Sequence, residues 1–420
     1  MLKAYQYRLY PNAIQEEMLS KHFGVARFVY NWALALNSRY YKIIGKGLSK
    51  RKLELQLNKK KCKEKFSWLK EVNSQTIVSS IWHLHSSYQN FFSGRAKYPR
   101  FKSKRSNWQS YQCPQHVQID QNRHKINLPK IKGIKGVIHR SFEGQIKTCT
   151  IKRNPRGHYY ISVLVEDNTC LPKKLKIDER STIGIDVGLN NFVITSCGKK
   201  KDNHRFLKSS ISKLHKAQRQ LSRCKKNSNN RSKKRKIVAC IHDKVTRQRK
   251  HYHHEVANEL LGDNQVKTIA FEDLHIKGMI KNKKLARSIA DVAWSNFISI
   301  VKYKAEWTGK NIITCNRFAP SSKSCSCGYI NKSMTLKDRV WQCPICLSIH
   351  DRDILAANNI KRFAIADVLG QSICVKQFPH DNRFSKSVMS KGQSSKALSG
   401  HKKPPLNRWQ RFSGGRMSPL

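Results

Sequence analysis

Three carboxylates stand at the ends of apolar segments in a chain crowded with cations. Asp186 closes Ile183-Gly184-Ile185, Glu272 follows Ile269-Ala270-Phe271, and Asp353 of Asp351-Arg352-Asp353 precedes Ala356-Ala357-Asn358-Asn359-Ile360. The first two segments read as strands and the third as the opening of a helix. A lone acid in such a place is usually a cap or a surface charge. Three together suit phosphodiester hydrolysis by a two-metal mechanism, in which carboxylates hold two divalent ions roughly 3.5 to 4 Å apart. One ion lowers the pKa of the attacking water and the other stabilises the leaving oxygen. Mg²⁺ is the expected ion because it prefers hard oxygen ligands and keeps some of its waters. Gly184 and Gly188 flank Asp186, where the missing side chain lets backbone or substrate approach closely.

A second constellation is Cys325-Ser326-Cys327 and, after fifteen intervening residues, Cys343-Pro344-Ile345-Cys346. A tetrathiolate Zn²⁺ site normally takes a two-residue spacer in each pair, so that both sulfurs of a knuckle reach one ion. The second pair obeys this and the first does not, which leaves a four-cysteine zinc site and a weakened or empty ribbon both open. His350 stands near enough in sequence to substitute as a ligand. A third candidate is Tyr98-Pro99-Arg100-Phe101-Lys102-Ser103-Lys104-Arg105, followed by Trp108 and Tyr111. Cations spaced among aromatics, with a proline barring a continuous helix, suit a phosphate backbone with stacked bases, the alternative being a merely solvated basic loop. Tyr98, Arg100, Phe101, Lys102, Lys104 and Arg105 are the candidate nucleic-acid contacts. His251, His253 and His254 read as surface or packing residues of a basic helix.

The charge balance names the class of partner. With 83 Lys+Arg against 26 Asp+Glu in 420 residues the formal charge is +57, which repels itself unless a polyanion screens it. Nucleic acid is the expected ligand, and an ordinary metabolic enzyme is disfavoured. A purely disordered polycation is disfavoured too, because 39% of residues are hydrophobic and the 8 Trp, 14 Tyr and 16 Phe need burial or stacking. No stretch approaches the ~18 to 20 apolar residues of a membrane span, and Met1-Leu2-Lys3-Ala4-Tyr5 runs straight into basic sequence without a signal-peptide core. The expected location is the cytosol or nucleoid, where thirteen scattered cysteines do not form a disulfide framework.

The elements that must position these groups follow from periodicity. Residues 2–10 alternate and end at Pro11, and Asn12 with Gln15 offers a capping box to a helix carrying Leu19, Phe23, Ala26, Val29 and Tyr30. A second helix is expected over 74–92. Strands are expected over 117–166, with Asn154-Pro155-Arg156-Gly157 as a hairpin turn. Together with the opening strand they would make a small β-barrel into which the helices are inserted. Two basic helices are expected over 199–250, and a disordered polycationic tail from about 378.

Taken in order, these segments resemble the TnpB family of transposon-encoded RNA-guided nucleases, relatives of the type V CRISPR effectors. The resemblance rests on Ala4-Tyr5-Gln6-Tyr7-Arg8-Leu9-Tyr10-Pro11, Arg27-Phe28-Val29-Tyr30-Asn31-Trp32, Tyr98-Pro99-Arg100-Phe101-Lys102, Gly184-Ile185-Asp186-Val187-Gly188-Leu189, Glu272-Asp273-Leu274, Pro320-Ser321-Ser322-Lys323 and Asp351-Arg352-Asp353 with Ala356-Ala357. It implies an α/β protein: an RNase H-like (RuvC) nuclease core over 178–320 and 348–372, with a zinc-ribbon insert at 321–347. It further implies a wedge β-barrel over 1–11 and 117–170, a helical recognition module over 12–116, and a tail over 373–420. Asp186, Glu272 and Asp353 would be the catalytic acids and ligands of two Mg²⁺ ions, and Cys325, Cys327, Cys343 and Cys346 the zinc ligands. The partners implied are a guide RNA from the transposon end and double-stranded DNA cut beside a short adjacent motif, the protein acting as a monomer on RNA. The sequence departs from the family pattern at the short first spacer, at Leu347 where Gly usually follows the second pair, and at Leu355 where Asn usually follows the last acid. A relative that binds guided sites without cutting them is the alternative these departures suggest.

Overall fold

The computed structural model describes residues 1–104, 108–335 and 337–370, so Arg105 and the expected tail lie outside the described residues. Strand β1 (Leu2–Tyr10) ends before Pro11, and helix α1 (Ala13–Ile44) starts under the expected box: Asn12 Oδ1 accepts the Gln15 N–H at 2.9 Å and Gln15 Oε1 accepts the Asn12 N–H at 3.0 Å. Helix α2 (Lys50–Lys61), a short 3₁₀ segment and helix α3 (Ser74–Phe92) pack on α1 around Val25, Leu34, Leu57, Leu69, Ile81 and Leu84. The chain then adds β2 (Gln109–Cys113), β3 (Gln118–Asp120), β4 (Lys125–Leu128), β5 (Ile131–Val137), β6 (Gln145–Arg153) and β7 (Tyr159–Glu166). All pair antiparallel in the order β2-β6-β7-β1-β5-β4-β3. Among the described residues β2 and β3 do not pair, so the ladder stays open, yet Tyr111 of β2, Ile126 of β4 and Ile119 of β3 meet one core with Phe23 of α1.

That core corrects two expectations. Strand β2 begins at Gln109, inside the stretch assigned to the helical module. Tyr111, grouped with the nucleic-acid aromatics, is 3% exposed and stacks on His22 with ring centres 5.1 Å apart. Alternation along a short strand had put its ring inside.

The second sheet contains β8 (Thr182–Asp186), β9 (Asn191–Thr195), β10 (Lys200–Asp202), β11 (Thr268–Glu272) and β12 (Asn311–Cys315), in the order β10-β9-β8-β11-β12. Strands β8, β9 and β10 form an antiparallel meander, and β11 runs parallel to both β8 and β12. Between β10 and β11 come the basic helices α4 (Phe206–Ser222) and α5 (Asn229–Gly262); between β11 and β12 come α6 (Ile276–Met279), α7 (Ala286–Val292) and α8 (Trp294–Trp307). A two-stranded ribbon, β13 (Val340–Gln342) with β14 (Ile349–Asp351), leads into α9 (Arg352–Leu369). One face of the sheet buries Ile185, Phe192, Ile269 and Phe271 against Val256 of α5 and Phe297 and Val301 of α8. The other buries Ala270, Ile313 and Cys315 against Ile360, Phe363 and Ala364 of α9.

Two polar tethers fix the helices. The Lys310 ammonium donates to the carbonyls of Leu261 and Asp263, closing the end of α5 where backbone acceptors lack partners. At the other end of the helical layer α4 has no side-chain cap of its own, and buried Asp291 of α7 supplies one: both its oxygens accept the Leu207 N–H (3.1 and 3.0 Å) while Arg249 of α5 donates to Oδ1 at 2.9 Å. His253 is packing, as read: its ring stacks on Phe192, Nε2 lies 3.0 Å from the Val292 carbonyl, and burial holds the imidazole down to about 4, hence neutral. Removing one partner of a buried pair strands the other charge. Asp291→Ala is therefore expected to lower the unfolding free energy by about 3 kcal/mol in chemical denaturation, and an unchanged midpoint would refute the tether.

Candidate active site

The acids are gathered by strand register and one close backbone contact. Side chains alternate along a strand, so Thr182, Gly184 and Asp186 share a face of β8, and Thr268, Ala270 and Glu272 share the same face of β11. The parallel register sets Ala270 against Gly184 and Phe271 against Ile185, which brings Glu272 beside Asp186 on the neighbouring strand. Helix α9 crosses this face and comes nearest at Gly184, where a Cβ would lie 1.9 Å from the Ala357 carbonyl oxygen and 2.8 Å from the Lys361 nitrogen. From that contact Asp186 lies two strand residues onward, about 6.6 Å. Asp353 lies four helix residues back, about 6 Å. The displacements match, and Asp186, Glu272 and Asp353 line a single cleft of about 320 Å³ with Pro320, Ser321, Ser322, Lys323 and Arg352. The approach permitted by Gly184 is thus by the backbone of α9, whereas Gly188 serves the β8–β9 turn, its Cβ position lying 2.9 Å from the Asn191 oxygen.

Crowded negative charge shows in the titration. Burial, then the charges of Glu272 and Asp353, push Asp186 up to about 7; burial, then Asp273, raise Glu272. The two aspartates of Asp351-Arg352-Asp353 divide their work. Asp351 Oδ1 accepts the N–H groups of Asp353 and Ile354 as the cap of α9, and its carboxylate also pairs with Lys200 at 2.7 Å. Burial alone would raise Asp351, but Lys200 and the cap bonds together hold it low. Asp353 faces the cleft, its oxygens each 3.4 Å from the Arg339 guanidinium of the ribbon. An all-oxygen donor set around open volume fits the ligand preference of Mg²⁺.

The ribbon accommodates its short spacer. The sulfurs of Cys325, Cys327, Cys343 and Cys346 all lie within 4.8 Å of one another, with Cys325–Cys346 at 3.5 Å and Cys327–Cys343 at 3.6 Å. A tetrahedron with Zn–S bonds of about 2.3 Å needs sulfurs about 3.8 Å apart, so the donor set fits Zn²⁺. Hydrogen bonds from the Ser348 hydroxyl and backbone hold Cys346 down to about 6, toward the thiolate form, whereas burial pushes Cys325 up to about 12. His350 Nε2 is 3.1 Å from the Cys325 sulfur, as a neighbour of the set. Leu347, standing where the family has Gly, takes the left-handed backbone (φ 59°) that the knuckle turn demands. Leu355 turns away from the cleft into the ribbon core with Cys325, Met334, Trp341 and Cys343.

The basic aromatic segment divides. Arg100, Phe101 and Lys104 are exposed. Tyr98 is half-buried and engaged within the protein, its hydroxyl 2.9 Å from Ser38 and 3.3 Å from Tyr88 and its ring against Phe91. The Lys102 backbone is locked to Asn31 through both its N–H and its carbonyl, and its ammonium lies 4.0 Å from the centre of the Tyr30 ring. Sequence reasoning missed the contributions of Arg339, Lys323 and Arg352. Pro320-Ser321-Ser322-Lys323 was visible as a motif, but only β12, an apolar run ending just before it, shows where it lies.

Comparison with known proteins places this architecture. A solved structure described as "Cryo-EM structure of the Cas12f1-sgRNA-target DNA complex" shares the fold, with a TM-score of 0.50 and 14% identity over 86% of this chain and 98% of the other. Family models match at residues 160–283 ("Probable transposase"), 294–360 ("Cas12f1-like, TNB domain") and 1–46 ("Helix-turn-helix domain"), although the last stretch contains strand β1 and one long helix, α1. A Streptomyces pristinaespiralis protein named "Putative RNA-guided DNA endonuclease" is 34% identical over 87% of this chain and 90% of its own length; an Escherichia coli K12 relative with the same description, InsQ, is 28% identical over 86% and 91%. The chain belongs to the TnpB family. Among the described residues no helix is long and apolar enough to cross a membrane.

Two outcomes are expected. Gly184→Ala would push α9 off β8 and part Asp353 from Asp186, cutting any activity of the cleft at least tenfold; unchanged activity would show that the contact does not set the site. In metal-free protein Asp186 holds its proton more tightly folded than unfolded, so its own contribution to stability falls as pH rises from about 4 to about 7. Measured against Asp186→Asn, the melting temperature of the parent should therefore drop across that range, and a constant difference between the two would deny the burial.

Proposed function

We propose that this protein is a transposon-encoded, RNA-guided and divalent-metal-dependent DNA endonuclease. The observation that carries the reading is the convergence of Asp186, Glu272 and Asp353, from two strands and a helix, on one cleft. In this reading the five-stranded sheet is an RNase H-like (RuvC) core, an assignment supported by its antiparallel meander continued by two parallel strands. The seven-stranded sheet is the wedge barrel and α1–α3 the recognition module.

Bound Mg²⁺ at the three acids would lower the pKa of a water molecule and stabilise the leaving oxygen of the phosphodiester. The chain's own residues prepare that chemistry. Burial and like charge favour the protonated form of Asp186, and a bound cation would offset both. The Asp351 cap fixes the first turn of α9 and hence the aim of Asp353. Lys323 and Arg352 at the cleft wall supply positive charge for the phosphates of the strand being cut. Base pairing by a guide RNA from the transposon end would select the double-stranded target, while the protein reads a short adjacent motif and duplex shape. The +57 charge holds both nucleic acids, with one protein on one RNA. Zinc in the ribbon would hold its two knuckles together.

The rival reading, binding without cutting, drew on the short spacer, Leu347 and Leu355. None of these lines the cleft: the four sulfurs still meet, Leu347 takes the left-handed backbone of the knuckle turn, and Leu355 packs in the ribbon. The test is to purify the protein with RNA from its own locus and challenge it with a plasmid library carrying the matched target and randomised flanks. Mg²⁺-dependent cutting beside one enriched motif is expected, abolished in Asp186→Ala with RNA and target binding retained. Cutting by Asp186→Ala, or RNA binding with no cutting by the parent protein, would overturn the proposal.

A further inference from the structure

Phe318 is the most exposed large apolar side chain among the described residues, at 87%. A lone exposed hydrophobe requires no explanation. Its mounting does. The ring sits on the short link between β12 and the cleft wall, immediately before Ala319 and Pro320, which line the cleft. Every neighbouring residue of that link is tied down. The Arg317 guanidinium donates to the carboxylate and the carbonyl of Asp273, the residue next to Glu272. Asn316 N–H donates to Asp367 of α9 at 3.0 Å, Phe318 N–H to Asn316 Oδ1 at 2.9 Å, and Ala319 N–H to the Asn316 carbonyl at 3.1 Å. The loop is therefore fixed to the strand that carries Glu272 and to the helix that carries Asp353, with an aromatic side chain exposed to solvent one residue before the cleft lining.

Resting on the nuclease reading above, we infer that Phe318 stacks on a base of the DNA strand lying in the acid cleft and positions the phosphodiester to be cut. The surroundings favour a nucleotide over a protein: Lys323 and Arg352 on the wall suit the phosphates, and an exposed ring one residue before the lining suits a base of the same strand. Stacking of this kind is indifferent to sequence because every base has a π-face. A platform at the lip thus serves an enzyme whose targets are chosen elsewhere by pairing.

The test uses the protein–RNA complex and matched target duplexes in which single abasic sites are stepped through the segment around the cut. With the parent protein, one abasic position should slow cleavage about tenfold. Phe318→Ala should be slowed about equally on intact DNA and be blind to that position, while Phe318→Trp restores both rate and sensitivity. Unchanged thermal unfolding of Phe318→Ala is expected for so exposed a residue and separates this from a folding defect. An Asp186-dependent rate that Phe318→Ala leaves at the parent value, or an abasic profile identical in both proteins, would overturn this inference alone. Absence of Asp186-dependent cutting in the parent would remove the nuclease reading and this inference with it.

Discussion

The contact between the backbone of α9 and Gly184 is the constraint on which the cleft depends. A helix normally rests on a sheet through side chains, at a distance those side chains set. At this point the strand offers none, and the Ala357 carbonyl occupies the space a Cβ would need. The helix axis is thereby drawn down onto β8, and the three acids inherit their separation from regular strand and helix rises. Burial raises the proton affinity of Asp186, so the geometry that makes the cleft also makes it costly to leave uncompensated. The site is held by packing on the far side of the sheet, where Phe192, Phe271 and Phe297 stiffen the strands from below.

The ribbon is coupled to this arrangement through consecutive residues. Asp351 ends β14 and caps α9, Arg352 donates its N–H to the Arg339 carbonyl of the ribbon, and Asp353 faces the cleft toward the Arg339 side chain. The start of the helix is thus set by the ribbon as much as by the sheet, and a change in the knuckles has a short covalent path to the third acid.

What could be read from the residues alone was whatever local chemistry decides. The capping box at Asn12 and Gln15, the hairpin at Asn154–Gly157 and the strand ends at Asp186 and Glu272 all depend on neighbours within a few positions. The packing of Tyr98 and Tyr111 was not legible because composition cannot tell which side of a short strand or loop a ring will take; Tyr111 stacks on His22 of α1 and Tyr98 lies against Phe91 of α3. The spacer between Cys325 and Cys327 was harder to judge than it need have been, because sulfur positions depend on the whole turn; the left-handed residues Gly328 and Leu347 help the chain bend enough. Leu355 is legible only with the helix in place, since its partner is the ribbon core and not the acid two residues before it.

The order of the chain has a consequence for its synthesis. Strand β1 is made before its partners, and Leu2 must wait for Glu166 before the centre of its sheet exists, while α1–α3 can pack meanwhile. The basic helices α4 and α5 then follow, and only after the ribbon does α9 arrive to lay Asp353 against Gly184. A growing chain accordingly gathers most of its positive charge before it possesses all three acids, so a polyanion can be gripped before the cleft is complete.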